Sequence, residues 1–190
     1  YSYSSPAVFK TSPSYVPLFN GLMQQNAAIA AGGGRCFLNQ GSSIAALDGH
    51  TGAHLWQADA PSGSNFAAMT YDPLLKLLYA TDNNVTLLAL DAATGAQLWS
   101  FQVAAGPVNP PVLSGSGLCV VGVGNFTVYW IDTNAALAAA RSNPPQPVQA
   151  VWSKMVLEPG GADAATVLIA ENLLTLVFLV GDPQTAYNFL

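Results

Sequence analysis

Two stretches of this chain repeat each other at a fixed distance. Ile44 to Trp56 reads I-A-A-L-D-G-H-T-G-A-H-L-W, and Leu87 to Trp99 reads L-L-A-L-D-A-A-T-G-A-Q-L-W. Eight positions coincide, and Asp48 and Asp91, like Trp56 and Trp99, lie 43 positions apart. A weaker third copy, Thr127-Val-Tyr-Trp-Ile-Asp132, ends 41 positions after Asp91, and a fourth ends near Asp182. A period of about 40–50 residues marks one supersecondary unit, repeated because no single copy can bury its apolar face without a neighbour. The 190 residues hold about four such units, read as one segment with repeats ending near Asp48, Asp91, Asp132 and Asp182.

The repeats differ in one place. Trp56 follows Asp48 by 8 positions and Trp99 follows Asp91 by 8, but the next tryptophan after Asp132 is Trp152, 20 positions on. The added length is residues 134–148, an alanine-rich run followed by Asn143-Pro-Pro-Gln-Pro147. It reads as a short helical turn and an extended proline loop. Loops on a rigid scaffold commonly carry binding, so this insertion is expected to project from the blade edge and meet another chain or segment.

Within each repeat, short β-rich runs are separated by polar or glycine-containing turns. Cys36-Phe-Leu38, Leu77-Leu-Tyr-Ala80, Leu118-Cys-Val-Val121 and Val167-Leu-Ile-Ala170 are such runs, each followed by a hairpin turn and a second strand that leads to the aspartate. In Asp-x-x-Thr-Gly the carboxylate can accept local N–H groups, while Gly52 and Gly95 allow a backbone conformation closed to most residues. Trp56 and Trp99 then open another strand, where a large ring at constant phase suits packing between neighbouring sheets. Several short strands per 40-odd residues is the pattern of propeller blades. The fold expected is all-β, a β-propeller of about four repeats, and an arc of a larger ring.

The two clean copies, Ala46-Leu-Asp48-Gly-His-Thr51-Gly52-Ala-His-Leu-Trp56 and Ala89-Leu-Asp91-Ala-Ala-Thr94-Gly95-Ala-Gln-Leu-Trp99, resemble the tryptophan-docking motif of the PQQ-like, quinoprotein-type propellers. That resemblance implies blades in which each tryptophan stacks over the motif's own alanine, Ala46 for Trp56 and Ala89 for Trp99, and over a peptide bond at the glycine of the adjacent blade. Repeat three has Trp130 where alanine belongs and lacks Thr-Gly; repeat four has Asp182 and Thr185 but no following glycine or tryptophan. The family includes quinone-dependent dehydrogenases and non-catalytic relatives. Its enzymes hold calcium beside the quinone, use an aspartate as base and often carry a disulfide between adjacent cysteines.

The residues offer little for such chemistry. There is no Cys-Cys pair, and the aspartates at 48, 91, 132 and 182 are each taken up by a turn. Asp82-Asn83-Asn84 has oxygen donors but not the six to eight that calcium takes, and reads as a hairpin turn. His50 and His54 straddle Gly52, so the helical spacing that would aim both at one metal is absent. Gly32-Gly-Gly34 precedes no helix, which excludes a phosphate cradle. Ser114-Gly-Ser-Gly117 reads as a turn before a strand rather than a nucleophile elbow. No cofactor, metal or catalytic residue is therefore expected.

Composition narrows the partners. With 5 Lys+Arg, a formal charge of −5 and 8% charged residues, the chain cannot neutralise a row of phosphates, so nucleic-acid binding is not expected. Residues 164–180 are apolar but interrupted by Glu171 and Asn172, and read as two buried strands rather than a membrane span. Cys36 and Cys119 are taken to share one phase on equivalent strands, a blade apart, and hence to be buried free thiols. Two sequons, Asn84-Val-Thr86 and Asn125-Phe-Thr127, fall in the same turn of successive repeats and point to N-glycosylation in an extracellular or cell-surface setting. Low charge and high apolar content suit a chain whose faces are covered by other proteins or further blades. The function expected is a scaffold or protein-interaction module; the alternative is a fragment of a quinone-dependent dehydrogenase.

Overall fold

The computed structural model describes residues 29–103, 110–122, 127–155, 164–170, 173–179 and 185–189, the last three as backbone alone. Asp182 and Asn125, and with them the fourth repeat's turn and the second sequon's asparagine, lie outside these residues.

The described chain is a series of antiparallel sheets. The first has the order β1 (Ile29–Gly32), β2 (Arg35–Asn39), β3 (Ser43–Asp48), β4 (His54–Asp59). The second is β5 (Phe66–Asp72), β6 (Leu77–Asp82), β7 (Thr86–Asp91), β8 (Gln97–Gln102). The third runs β9 (Val112–Ser114), β10 (Gly117–Gly122), β11 (Thr127–Asp132), then helix α1 (Thr133–Arg141), then β12 (Trp152–Met155) at the sheet edge beside β11. A three-stranded sheet comes last, β13 (Ala164–Ala170), β14 (Leu173–Leu179) and β15 (Thr185–Phe189). Each sheet is a meander, with consecutive strands lying side by side. The apolar run of 164–180 thus supplies strands β13 and β14.

The turns arise from backbone chemistry. Between β1 and β2 the two central residues, Gly33 and Gly34, both have positive φ, 58° and 73°. This is the primed two-residue turn whose twist matches a hairpin, and it needs residues without Cβ. The Ser114–Gly117 stretch makes the β9–β10 hairpin with positive φ at its first central residue alone, Gly115 at 57°.

The core lies in the seams between sheets. Phe37, Ile44, Ala46 and Trp56 of the first sheet pack with Met69, Leu78, Leu88 and Leu90 of the second. The opposite face of the second sheet contributes Leu77, Tyr79, Leu87, Ala89 and Trp99 to a cluster with Leu118, Val120, Tyr129 and Ile131 of the third. Side chains alternate between the faces of a strand, so a sheet packed on both sides has strands buried throughout. All six residues of β6 and all six of β10 are buried, whereas in β2 only Phe37 is.

The cysteines require a correction. Cys36 pairs with Leu47, as Leu78 does with Leu90, while Cys119 pairs with Trp130, as Phe37 does with Ala46. The strands are equivalent, but the thiols are one residue out of step. A one-residue step moves a side chain to the other face. Cys119 is buried, and desolvation pushes its thiol up to about 12, whereas Cys36 is half-buried.

Candidate interface: the seams between blades

The Asp-x-x-Thr-Gly turns are near-identical polar constructions. Asp48 Oδ1 accepts from the backbone N–H of His50 and Thr51 at 3.0 and 2.8 Å and from the Thr51 hydroxyl at 2.8 Å. Asp91 Oδ1 accepts from Ala93 and Thr94 N–H at 2.8 and 2.9 Å and from the Thr94 hydroxyl at 3.1 Å. The glycine N–H closes each turn on the aspartate carbonyl at 2.8 Å, with φ 71° at Gly52 and 76° at Gly95. The hydrogen bonds from Thr51 and His50 hold the Asp48 carboxyl below its ordinary pKa. His50 and His54 are exposed. Among the described residues no group of three metal-ligating side chains converges.

These turns form half of a seam. Ala46 faces Trp56 and Ala89 faces Trp99 across the strand pair, so a methyl lies where each indole crosses its own sheet. Beyond it, Trp56 reaches the next blade. A Cβ on Gly95 would fall 2.6 Å from Trp56 Cε3, and Trp56 Nε1 donates to the carbonyl of Ala92 at 3.1 Å. Gly95 therefore serves twice, for its positive φ and because an indole occupies the space of a side chain.

The second seam is built differently. Asp132 stands where Asp48 and Asp91 stand, and it also accepts an N–H three residues on, Ala135 at 2.9 Å. Here that bond caps α1, the standard role of an aspartate before a helix. Trp99 lies in one buried cluster with Ala136 and Leu137 of the helix and Val148 of the proline loop. The insertion divides: Ala136, Leu137 and Val148 are buried in the seam cluster, whereas residues 143–147 of the proline loop are exposed, as expected of a projecting segment. With the carbonyls of the first helical turn engaged along the helix, Trp99 Nε1 is buried without a partner among the described residues.

The polar link at this seam comes from another residue. Tyr79 takes the place of Phe37, and their rings lie 5.6 Å from Trp99 and 5.8 Å from Trp56. The Tyr79 hydroxyl donates to Asp72 Oδ2 at 3.3 Å and lies against the Thr133 hydroxyl, which itself donates to the Ser116 carbonyl at 3.0 Å. Burial, and then the Asp72 charge, push the Tyr79 phenol well above its usual value, so it stays a donor. Nothing in the repeat comparison pointed to Tyr79, Asp72 or Thr133; the only signal was the Phe-to-Tyr difference at one phase.

In the third sheet the volumes are exchanged. Small Cys119 faces large Trp130, where the other sheets put Phe37 or Tyr79 opposite alanine. Trp130 crosses Gly117 and stacks on Trp152 at 6.2 Å and 4°. Trp152 keeps the cross-strand position of Trp56 and Trp99 but is 42% exposed. Asn84 of the first sequon is exposed in the β6–β7 turn, after Asp82, whose Oδ1 accepts from Asn84 and Thr86 N–H.

Comparison with known proteins places this architecture. A family model described as outer membrane protein assembly factor BamB matches residues 40–139. BamB from Moraxella catarrhalis superimposes with a TM-score of 0.55 at 16% identity, over 83% of this chain and 47% of that one. The computationally designed Ika8 protein gives 0.65 at 13% identity, over 86% of this chain and 45% of that one. The designed Ika4 protein gives 0.63 at 13%, over 85% and 89%. No curated protein matches the sequence. At these identities the likeness is one of fold. The chain spans about half the length of the BamB and Ika8 chains.

Proposed function

Because this chain belongs to the BamB-type family of PQQ-like β-propeller repeats, we propose that it is a non-catalytic scaffold segment, docking through its blade faces onto further blades or other proteins. The observation that carries this is where the repeat's polar groups go. The aspartates and threonines of the described turns are spent inside their own turns, and the indoles between them join one blade to the next. Such a surface has shape to offer a partner and no convergent acid, base or ligand set. The family description, an assembly factor, agrees with a scaffold role.

In this reading Ala46, Asp48, Thr51, Gly52 and Trp56, with Ala89, Asp91, Thr94, Gly95 and Trp99, act as tryptophan-docking elements; Asp132, Trp152 and Asp182 are their variant counterparts. The chain works in an extracellular or cell-surface assembly, and the sequon at Asn84, exposed on a turn, is its accessible glycosylation site. Asn125 is the second site by its matching sequence. The test is to isolate the protein from its source under native conditions. A stoichiometric complex unchanged by chelation, with no quinone bound, is expected. A lone chain that oxidises alcohols when given pyrroloquinoline quinone and calcium would overturn the proposal.

A further inference from the structure

The insertion holds five exposed residues that the seam does not use. Ala136, Leu137 and Val148 are buried with Trp99, whereas Asn143, Pro144, Pro145, Gln146 and Pro147 are all exposed. Their backbone is nevertheless tied down. The Ser142 hydroxyl is shared between the Ala139 and Pro144 carbonyls, at 2.7 and 2.9 Å. The Gln146 N–H reaches back to the same Ala139 carbonyl at 2.9 Å, and its side-chain amide donates to the Pro144 carbonyl at 3.2 Å. Val148, buried, anchors the far end. The other blades have no such segment: Asp48 and Asp91 reach their tryptophans in 8 positions.

Local chemistry keeps this segment extended. The chain leaves the helix at Ser142 with φ −66° and ψ 161°, within the polyproline II region. Each proline fixes its own φ near −65°, and a following proline holds Pro144 and Gln146 out of the helical region. At three residues per turn, Pro144 and Pro147 fall on one edge, about 9 Å apart, and Pro145 on another. Such an edge offers rings and carbonyls but few donors. Proline has no N–H, and the Gln146 N–H is spent on Ala139. A partner must therefore bring flat apolar surface for the rings and donors for the carbonyls. A groove lined by tryptophan and tyrosine brings both, and an already extended ligand loses little entropy on entering it. We propose that Pro144–Pro147 is a docking element for a partner domain whose aromatic groove reads polyproline II. It stands apart from the blade faces invoked above and adds a second kind of contact to them.

The test uses the full chain and three proline-reading probes, an SH3, a WW and an EVH1 domain, each isotopically labelled and titrated with unlabelled chain. Saturable amide and indole N–H shifts confined to the aromatic groove of at least one probe are expected, reversed by excess poly-L-proline. With Pro144→Ala/Pro147→Ala the affinity should fall at least tenfold. Pro145→Ala, on the other edge, should change it less than threefold. Circular dichroism of both variants should match the parent, since the substituted rings are exposed. Absence of groove shifts with all three probes overturns the proposal. So does binding that survives the double substitution, or that falls as far with Pro145→Ala. The scaffold reading is decided separately by the native complex, which can form through blade faces alone.

Discussion

The seam between the first and second sheets and the seam between the second and third solve one packing problem with different parts. Both must cover an indole that crosses its own sheet over an alanine. In the first, a glycine turn supplies a flat surface and a carbonyl, so ring and N–H are both satisfied by the neighbour's backbone. In the second, a nine-residue helix supplies apolar side chains, the N–H is buried without a partner among the described residues, and a tyrosine hydroxyl carries the polar link through Asp72 and Thr133. One lesson is that the aspartate is the element retained. Its carboxylate accepts the N–H three residues on in every case, and the residues after it decide between a tight turn and a helix. A second is that a polar group can move between residues so long as the seam stays sealed.

The largest test of this comparison is to remove the rings. Trp56→Ala and Trp99→Ala are each expected to cost about 3–5 kcal/mol in urea unfolding. A Trp99→Ala loss well below that range would mean the helix does not seal the second seam. Next, Leu137→Ala should cost about 2–3 kcal/mol, because a leucine buried in the cluster that holds Trp99 leaves a cavity. A near-neutral result would return the insertion to the role of a projecting loop.

Tyr79→Phe should cost about 1–2 kcal/mol, since it leaves the buried Asp72 Oδ2 without its donor. The test is sharpest beside the first seam, where phenylalanine already stands at position 37. A smaller difference comes from exchanging the rings for ones without a donor. Trp56→Phe should cost about 1 kcal/mol more than Trp99→Phe, because only Trp56 has an N–H bond to lose. Equal losses in thermal or urea unfolding would show that the Ala92 carbonyl contributes nothing.

The smallest effect is electrostatic. The folded-state pKa of Asp48 is lowered by its turn's N–H and hydroxyl donors. A depressed carboxylate stabilises the fold above its unfolded pKa of about 4, and that contribution fades as pH falls through the folded value. Asp48→Asn should therefore lower stability slightly near neutrality and flatten the acid limb, the two proteins converging as pH falls through the folded value. A steeper acid limb in the variant would contradict the turn geometry.

Much of this was legible in the chain because the determinants are local. Asp-x-x-Thr-Gly writes its own hydrogen bonds within five residues, and glycine at a positive-φ position declares a turn before any neighbour is known. Periodicity at 43 residues implies a stack of like units, since a half-apolar sheet needs a second one. The length anomaly after Asp132 marked where the stack departs from regularity. What tertiary structure alone decided is where those units meet. Which way the insertion folds depended on an indole from the preceding blade, 34 positions before Thr133, and no local pattern in 134–148 encodes it. The phase of Cys36 and Cys119 turned on one residue of register, which strand pairing fixes and counting from an aspartate does not. The Tyr79–Asp72–Thr133 link joins the second sheet to the start of helix α1, whose contact exists only once both are packed. Hydrogen bonds inside a turn are written in the chain; bonds across a seam depend on how two surfaces come together, and only folding settles that.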